Sequence, residues 1–155
     1  MTTDFQIDAL NIHTAQREEW HLQLTEEPTF GIKLARPNGA IWTAAGDDLF
    51  EVLKSVRLQI EPLSYLLLCN GARVDAHPSG MLRDMTGGST LYILKMKRVP
   101  RERVFIFDRA EADTVGTVAD QRDFYQAWLG APKRWRLTDR ARDAASEVWT
   151  RWRDR

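Results

Sequence analysis

The densest group of side chains that could do chemistry lies in residues 70–89. It contains Arg73, Asp75, His77, Arg83 and Asp84 among four glycines. Arginine forks match phosphate or carboxylate groups, and glycine-rich turns can expose backbone N–H groups to an anion. Long segments without regular structure are uncommon in compact domains and are often functional. We therefore predict a long loop here and take it as the favoured place for a site.

A structural interpretation of the same segment stays open. The two arginines and two aspartates can pair with each other, and the glycines can serve only to turn the chain. The segment has no Gly-Lys-Ser or Gly-Lys-Thr ending and no three-glycine dinucleotide fingerprint. Ser79 is not in a nucleophile elbow, because His77 stands where that motif needs a glycine. What remains is recognition of a partner or ligand, or a well-paired structural loop.

Nucleophilic and metal chemistry find little support. Cys69, the only cysteine, follows a short apolar run and is expected to be a small buried hydrophobe, although His77 could in principle activate it. One sulfur and three widely separated histidines cannot assemble a tetrahedral metal site. No pair of acids is singled out for acid–base work. We predict no metal, no cofactor and no catalytic residue, and leave open whether the protein is an enzyme.

The charges are unevenly placed along a chain of zero net charge. Residues 1–27 hold six acids, including Glu18, Glu19, Glu26 and Glu27, against one arginine. Residues 132–155 hold eight bases against four acids, interleaved with tryptophans. Bases and aromatics together are typical of single-stranded nucleic-acid binders, but interleaved acids favour a solvated helix face. We therefore rank nucleic-acid binding by the helix predicted in this C-terminal segment below a structural role in which its aromatic side chains pack against the rest of the protein.

Hydrophobic periodicity predicts the elements that must position these residues. Alternation with period two indicates strands, and apolar spacing of three and four indicates helices. The predicted strands cover residues 20–24, 30–34, 41–42, 65–69, 90–97 and 103–107. A helix is predicted at residues 49–60, between the third and fourth strands. Thr117 and Thr138 are predicted to cap two final helices. The expectation is one α+β domain over residues 1–155, with a mainly antiparallel sheet of about six strands, one helix between strands three and four, and two C-terminal helices.

Composition indicates a globular protein. The 155 residues are 43% hydrophobic and 28% charged, enough to bury one core. The N-terminal residues lack the pattern of a signal peptide, and the longest apolar run, residues 65–69, is too short to cross a bilayer. A single cysteine suits a reducing compartment. We predict a cytoplasmic protein that does not enter a membrane.

Two stretches carry a resemblance to known proteins. Leu-Cys-Asn-Gly-Ala-Arg at residues 68–73, with Pro-Ser-Gly-Met at 78–81 and Gly-Gly at 87–88, forms one stretch, and residues 117–129 form the other. They resemble a group of small, stand-alone, uncharacterised bacterial proteins. In size and layout the chain is also similar to immunity proteins of bacterial toxin systems, including those of contact-dependent growth inhibition.

That likeness implies a protein-binding module that neutralises a cognate protein toxin by covering its active site. Toxins that cut nucleic acid have basic clefts, so an inhibitor is expected to present acids. Here these would be Glu18, Glu19, Glu26 and Glu27, or Asp75 and Asp84 in the 70–89 segment. The alternatives are a ligand-binding or catalytic domain that uses the 70–89 segment, and nucleic-acid binding by the basic C-terminal helix.

Overall fold

Eight strands and three α-helices lie within residues 2–133, the part of the chain that the computed structural model describes. The strands are β1 (Thr2–Asn11), β2 (Arg17–Thr25), β3 (Phe30–Ala35), β4 (Ile41–Gly46), β5 (Tyr65–Leu67), β6 (Ala76–His77), β7 (Thr90–Ile93) and β8 (Arg103–Phe105). The helices are α1 (Leu49–Ile60), α2 (Gly80–Thr86) and α3 (Val118–Gly130). One sheet has the order β4-β3-β2-β1-β5, the other β6-β7-β8, and all named strands pair antiparallel.

The predicted α+β class and antiparallel pairing are confirmed, but the predicted strand count is wrong. Residues 2–11 were expected to be a polar start, yet they form β1, which pairs with β2 along its length. Phe5, Ile7 and Ala9 face inward and alternate with the outward polar residues of β1. The many polar residues in this segment hid that alternation in the sequence. The helix predicted between strands three and four consequently lies between β4 and β5. The final helix predicted from Thr138 lies outside the described residues.

Helix α1 covers the inward face of the five-stranded sheet. Asp48 begins the helix by accepting a hydrogen bond from the Glu51 N–H at 3.0 Å. The apolar side of the helix, from Leu49 to Ile60, joins the buried side chains of β1 to β5 in one hydrophobic cluster. Residues of β7 and the segment after β8, including Leu91 and Ile106, belong to the same cluster. The helix therefore leaves only the opposite face of the sheet to the solvent within residues 2–133.

The continuous apolar run at residues 65–69 predicts a central strand covered on both faces, but the strand formed there, β5, lies at an edge. β5 pairs only with β1 in the five-stranded sheet. Its free edge is covered just beyond the strand by residues 109–110. The Leu68 N–H donates to the Asp8 carbonyl, the Leu68 carbonyl accepts from the Ala110 N–H, and Cys69 forms a β-bridge with Arg109. The apolar run therefore predicted the burial of this strand correctly, but its position within the sheet wrongly.

The predicted long loop at residues 70–89 contains regular structure, so that expectation is wrong. It folds into a short 3-10 turn, β6 and α2. Ser79 caps α2 through its Oγ, which accepts from the Leu82 N–H at 3.1 Å, and Gly87 ends it with φ of 64°. Seven helical residues are too few to show a helical period in the sequence.

Helix α3 begins as predicted at Thr117. Thr117 and Asp120 form a reciprocal capping box, each side chain accepting from the other's backbone N–H at 3.0 Å. Gln121 in the first turn is buried at 3% exposure, and Trp128 near the end donates to the turn between β7 and β8. No helix in the described part of the chain is long and apolar enough to span a membrane.

Candidate functional site

The face of the five-stranded sheet opposite α1 carries mainly charged and polar side chains, together with Leu10 and the exposed Ile41, and none of these is fully buried. We call it the open face. Its members on the two longest strands are Asp4, Gln6, Asp8, Arg17, Glu19, His21 and Gln23. Lys33 on β3 and Thr43 on β4 continue it toward the β4 edge. The sequence placed acids here only on β2, because β1 was not expected to be a strand.

Two carboxylates of the open face lie directly opposite each other. Asp8 on β1 pairs in register with Glu19 on β2. Side chains at such cross-strand positions are about 5 Å apart at Cβ, and like charges there reduce stability. An ion pair offsets this repulsion only slightly, since Arg109 Nη2 lies 3.8 Å from Asp8 and its side chain is 65% exposed. Asp4, by contrast, has His21 Nε2 at 3.0 Å.

The four predicted glutamates are divided among three locations. Glu19 faces outward on the open face, whereas Glu18 faces inward because successive strand residues point to opposite sides. Glu26 and Glu27 are exposed in the turn from β2 to β3, at the end of the sheet nearest Asp4. Three of the four therefore lie on or beside the open face.

Glu18 has a structural role at the inward edge. Arg36 donates to both of its carboxylate oxygens, at 3.1 and 2.9 Å, and also to the Tyr65 hydroxyl at 2.8 Å. The hydrogen bond from Arg36 lowers the pKa of Glu18. The Arg36 guanidinium lies 5.0 Å from the Tyr65 ring, and Trp20 stacks on Trp42 at 5.1 Å. This carboxylate is already paired and is not available to a partner as a bare charge.

The charged residues of the 70–89 segment do not converge on one point. Arg73 and Asp75 form a two-bond ion pair at 2.8 and 2.9 Å, and this bonding raises the pKa of Arg73. Arg83 instead reaches Asp48 at 3.0 Å and Glu51 at 3.4 Å at the start of α1. Asp84 is exposed on α2. The interpretation of paired structural charges fits these contacts, although Arg83 finds its partners outside the segment.

The glycines of the segment serve packing. The Gly71 and Gly87 N–H groups donate to the Ile106 and Arg83 carbonyls, so they are not free to hold an anion. A Cβ on Gly87 would lie 2.5 Å from Phe30, and one on Gly88 would lie 2.8 Å from Asp48. Both have positive φ, at 64° and 86°. These glycines allow the end of α2 to pack against the start of α1.

His77 lies between aromatic rings. Its ring stacks on Tyr125 at 3.6 Å and meets Phe50 edge-on at 5.2 Å. Nδ1 is 2.8 Å from the Pro78 carbonyl, which can only accept, so Nδ1 carries the proton. Burial lowers the pKa of His77 to about 4. The imidazole is therefore neutral near pH 7, and it does not contact Cys69, whose thiol pKa burial raises to about 11.

A buried polar cluster escaped the sequence analysis altogether. Arg57 is 2% exposed, and its guanidinium donates to the Gly71 carbonyl at 3.1 Å, the Gly116 carbonyl at 3.0 Å and Gln121 Oε1 at 2.7 Å. Gln121 Nε2 in turn donates to the Gly71, Arg73 and Ala76 carbonyls. The only signal in the sequence is that Arg57 falls on the apolar side of α1, between Val56 and Ile60.

Cofactor and family comparisons add no further site. Within residues 2–133 no three His, Cys, Asp or Glu side chains are grouped closely enough to hold a metal ion. Neither a model of any known protein family nor any curated protein matches the sequence. The function has to be argued from the geometry above.

Proposed function

We propose that this protein is a protein-binding module that contacts a basic partner protein through the open face, and most concretely an immunity protein that neutralises a cognate toxin. The observation that carries the proposal is the Asp8–Glu19 pair. It places like charges opposite each other on the sheet surface, and the only ion pair of these two carboxylates within residues 2–133 is that of Asp8 with the mostly exposed Arg109. A cationic side chain from a partner, inserted between the two carboxylates, would relieve that repulsion on binding.

The size of the open face supports a macromolecular partner. The four strands β1 to β4 are six to ten residues long, and at about 3.3 Å per residue and 4.8 Å between strands they cover roughly 500 Å². That area is more than half of the ~800 Å² that each partner buries in a standard interface, and the adjoining Glu26–Glu27 turn extends it.

The rival ligand-binding or catalytic function receives less support. It requires the side chains of residues 70–89 to converge, whereas Arg73 is paired with Asp75, and Arg83 is paired with Asp48 and Glu51. Asp84 is exposed and unpaired within the described residues, so α2 remains a second surface on which an acid could meet the partner. The C-terminal segment that was predicted to form a basic helix and bind nucleic acid lies outside the described residues.

The test is protection from a toxin. The chain is co-expressed with the product of a neighbouring toxin-encoding gene, and survival and complex formation are measured. We expect the wild-type chain to protect and Asp8→Lys/Glu19→Lys to lose protection. The control Glu111→Lys/Asp123→Lys makes the same change of charge at exposed positions away from the open face and should protect fully.

Other outcomes would redirect or end the proposal. Loss of protection by Asp84→Lys alone would move the contact to α2. Protection by Asp8→Lys/Glu19→Lys equal to wild type would remove the open face from the interaction. Absence of both protection and binding with the wild-type chain would sink the immunity function.

A further inference from the structure

The turn between β7 and β8 is the most basic surface of the described residues. Residues 95–103 contain five bases and one acid, Glu102. Lys95, Lys97 and Arg98 are exposed, and none of these three makes an ion pair with an acid within residues 2–133. This surface belongs to the three-stranded sheet and shares no residue with the open face.

The turn is held in a defined conformation. The Arg98 N–H donates to the Lys95 carbonyl at 3.1 Å, and Lys97 adopts φ of 62°, a left-handed conformation unusual for a lysine. Trp128 Nε1 on α3 donates to both the Lys95 carbonyl at 3.1 Å and the Arg98 carbonyl at 3.2 Å. The backbone is thus fastened to α3 while the basic side chains remain in solvent.

A row of aromatic rings begins at that fastening point. Trp128 lies nearly parallel to Tyr125, with centroids 6.3 Å apart and planes at 14°, and Tyr125 stacks on His77. The Trp128 and Tyr125 side chains are half-buried, so part of each ring reaches the surface. Lys133 Nζ lies 4.0 Å from the Trp128 ring centroid and adds a further positive charge.

We propose that this turn, together with Trp128 and Tyr125, binds single-stranded nucleic acid. Phosphates would lie against Lys95, Lys97 and Arg98, and a base would contact the exposed part of the Trp128 and Tyr125 rings, displacing Lys133. Unpaired bases beside aromatic rings are the combination that such binders use, with stacking adding to the charge attraction. An anionic membrane would use the bases but not the rings, so the aromatic row favours nucleic acid. The inference goes beyond the proposed toxin-binding function and uses a different surface.

Binding is measured with the full chain and a labelled oligouridylate of about 12 nucleotides, by fluorescence anisotropy across a salt series. We expect salt-sensitive binding. Each phosphate contact to a single strand contributes about −0.7 to the slope of log K against log salt concentration, so Lys95→Gln/Lys97→Gln/Arg98→Gln should reduce the slope by about 2. The control Lys33→Gln/Arg109→Gln/Arg122→Gln removes the same charge from other exposed positions and should keep the wild-type slope.

A second variant tests the rings separately from the charges. Tyr125→Leu should weaken binding about 10-fold or more while changing the salt slope little, because it removes a stacking ring and keeps the Trp128 hydrogen bonds that hold the turn, and base stacking does not depend on ionic strength as phosphate contacts do. Anionic vesicles are the competing partner. No oligouridylate binding by the wild-type chain, equal slope losses in both triple variants, or binding to vesicles but not to the oligonucleotide would each overturn the proposal. Protection from a toxin would be unaffected by any of these results.

Discussion

Two groups of charged residues in this protein are arranged in opposite ways. Arg57 lies in the interior, where three hydrogen-bond acceptors surround its guanidinium and no carboxylate pairs with it among residues 2–133. Asp8 and Glu19 lie on the open face, directly opposite each other, and their one ion-pair contact within residues 2–133 is that of Asp8 with the mostly exposed Arg109 at 3.8 Å. The interior charge is fully provided with partners by the fold, whereas the two surface charges share a single exposed one.

The two groups of charges differ in what the fold provides for them. Burial lowers the pKa of Arg57, yet a guanidinium is so basic that it stays charged, so the fold must provide acceptors for it. Those acceptors come from the 3-10 turn, from Gly116 two residues before α3 and from α3 itself, and they join three parts of the chain. On the open face the fold provides Asp8 with only the exposed Arg109, and no ion pair of Glu19 is found within residues 2–133.

Gln121→Leu should break the interior arrangement most severely. It removes one acceptor of Arg57 and the donor of the Gly71, Arg73 and Ala76 carbonyls. Leaving a buried charge and several carbonyls short of partners should lower the free energy of unfolding by about 3 kcal/mol or more. Urea denaturation measures the loss as a lower midpoint at constant m-value. Gln126→Leu, exposed on the same helix, should change the midpoint little, and an equal loss in both variants would contradict the role of the cluster.

Gly71→Ala tests the same cluster from its backbone. A Cβ there would lie 2.3 Å from Leu53 Cδ2 and 2.7 Å from Ile106 Cγ1, so the turn that provides the Gly71 carbonyl must move. Such overpacking should cost about 1–3 kcal/mol of unfolding free energy. Gly80→Ala has no atom within 4 Å of the added Cβ and should be neutral or slightly stabilising in the same denaturation measurement. If the two variants were equally stable, close packing at Gly71 would not be needed.

His77 extends the comparison to pH. Burial lowers its pKa from 6.5 to about 4, so between these values the unfolded chain binds the proton and the folded chain does not. Stability from this group is present above about pH 6.5 and is lost as the pH falls toward about 4, by roughly 1–2 kcal/mol once partial solvent exposure is allowed for. The stability difference between wild type and His77→Asn, measured by urea denaturation, should shrink over that range. His13→Asn, at an exposed turn position, is the matched control. If the stability difference between wild type and His77→Asn did not change with pH, the His77 ring would not be shielded from protonation by the fold.

The sequence was a good guide where a single periodicity dominates. The strands around Trp20, Phe30 and Ile41, helix α1, and the Thr117 cap all lie where the pattern predicted them. It failed for β1, because a strand with one polar face and small inward residues such as Ala9 resembles a polar tail until its partner is known. It also failed for α2, whose seven residues depend on the Ser79 and Gly87 caps more than on any periodic apolar side.

The candidate site was predicted only in part, for reasons of register and distance. Glu18 and Glu19 are adjacent in sequence, but alternation along β2 places one beside Arg36 inside and the other on the open face. The opposition of Asp8 and Glu19 depends on how β1 pairs with β2, which an isolated sequence does not specify. The partners of Arg83 lie at the start of α1, more than thirty residues earlier in the chain. The sequence therefore indicated that Arg83 could be paired with an acid, but not which acids pair with it.

Neutralising Asp8 or Glu19 on the open face should change the free energy of unfolding least of all these variants, but it should raise that free energy where the others lower it. Asp8→Asn and Glu19→Gln each remove one of two opposed carboxylates, so each should raise the free energy of unfolding by about 0.2–1 kcal/mol at low salt. The two gains should not add in the double variant, because either change alone abolishes the repulsion. High salt should erase most of the gain through screening. Asp123→Asn, exposed on α3 beside Arg122, should give no comparable increase.

The same variants join stability to function. If the open face binds a basic partner, Asp8→Asn/Glu19→Gln should be more stable than wild type in the denaturation experiment and weaker in the toxin-protection assay. A protein that retains two opposed carboxylates at a cost in stability, and loses binding when they are removed, uses them for recognition. Lower stability in the neutral variants would mean that the carboxylates make favourable contacts within the fold. In that case the open face would resemble the Arg57 cluster, and the contrast between the two regions would disappear.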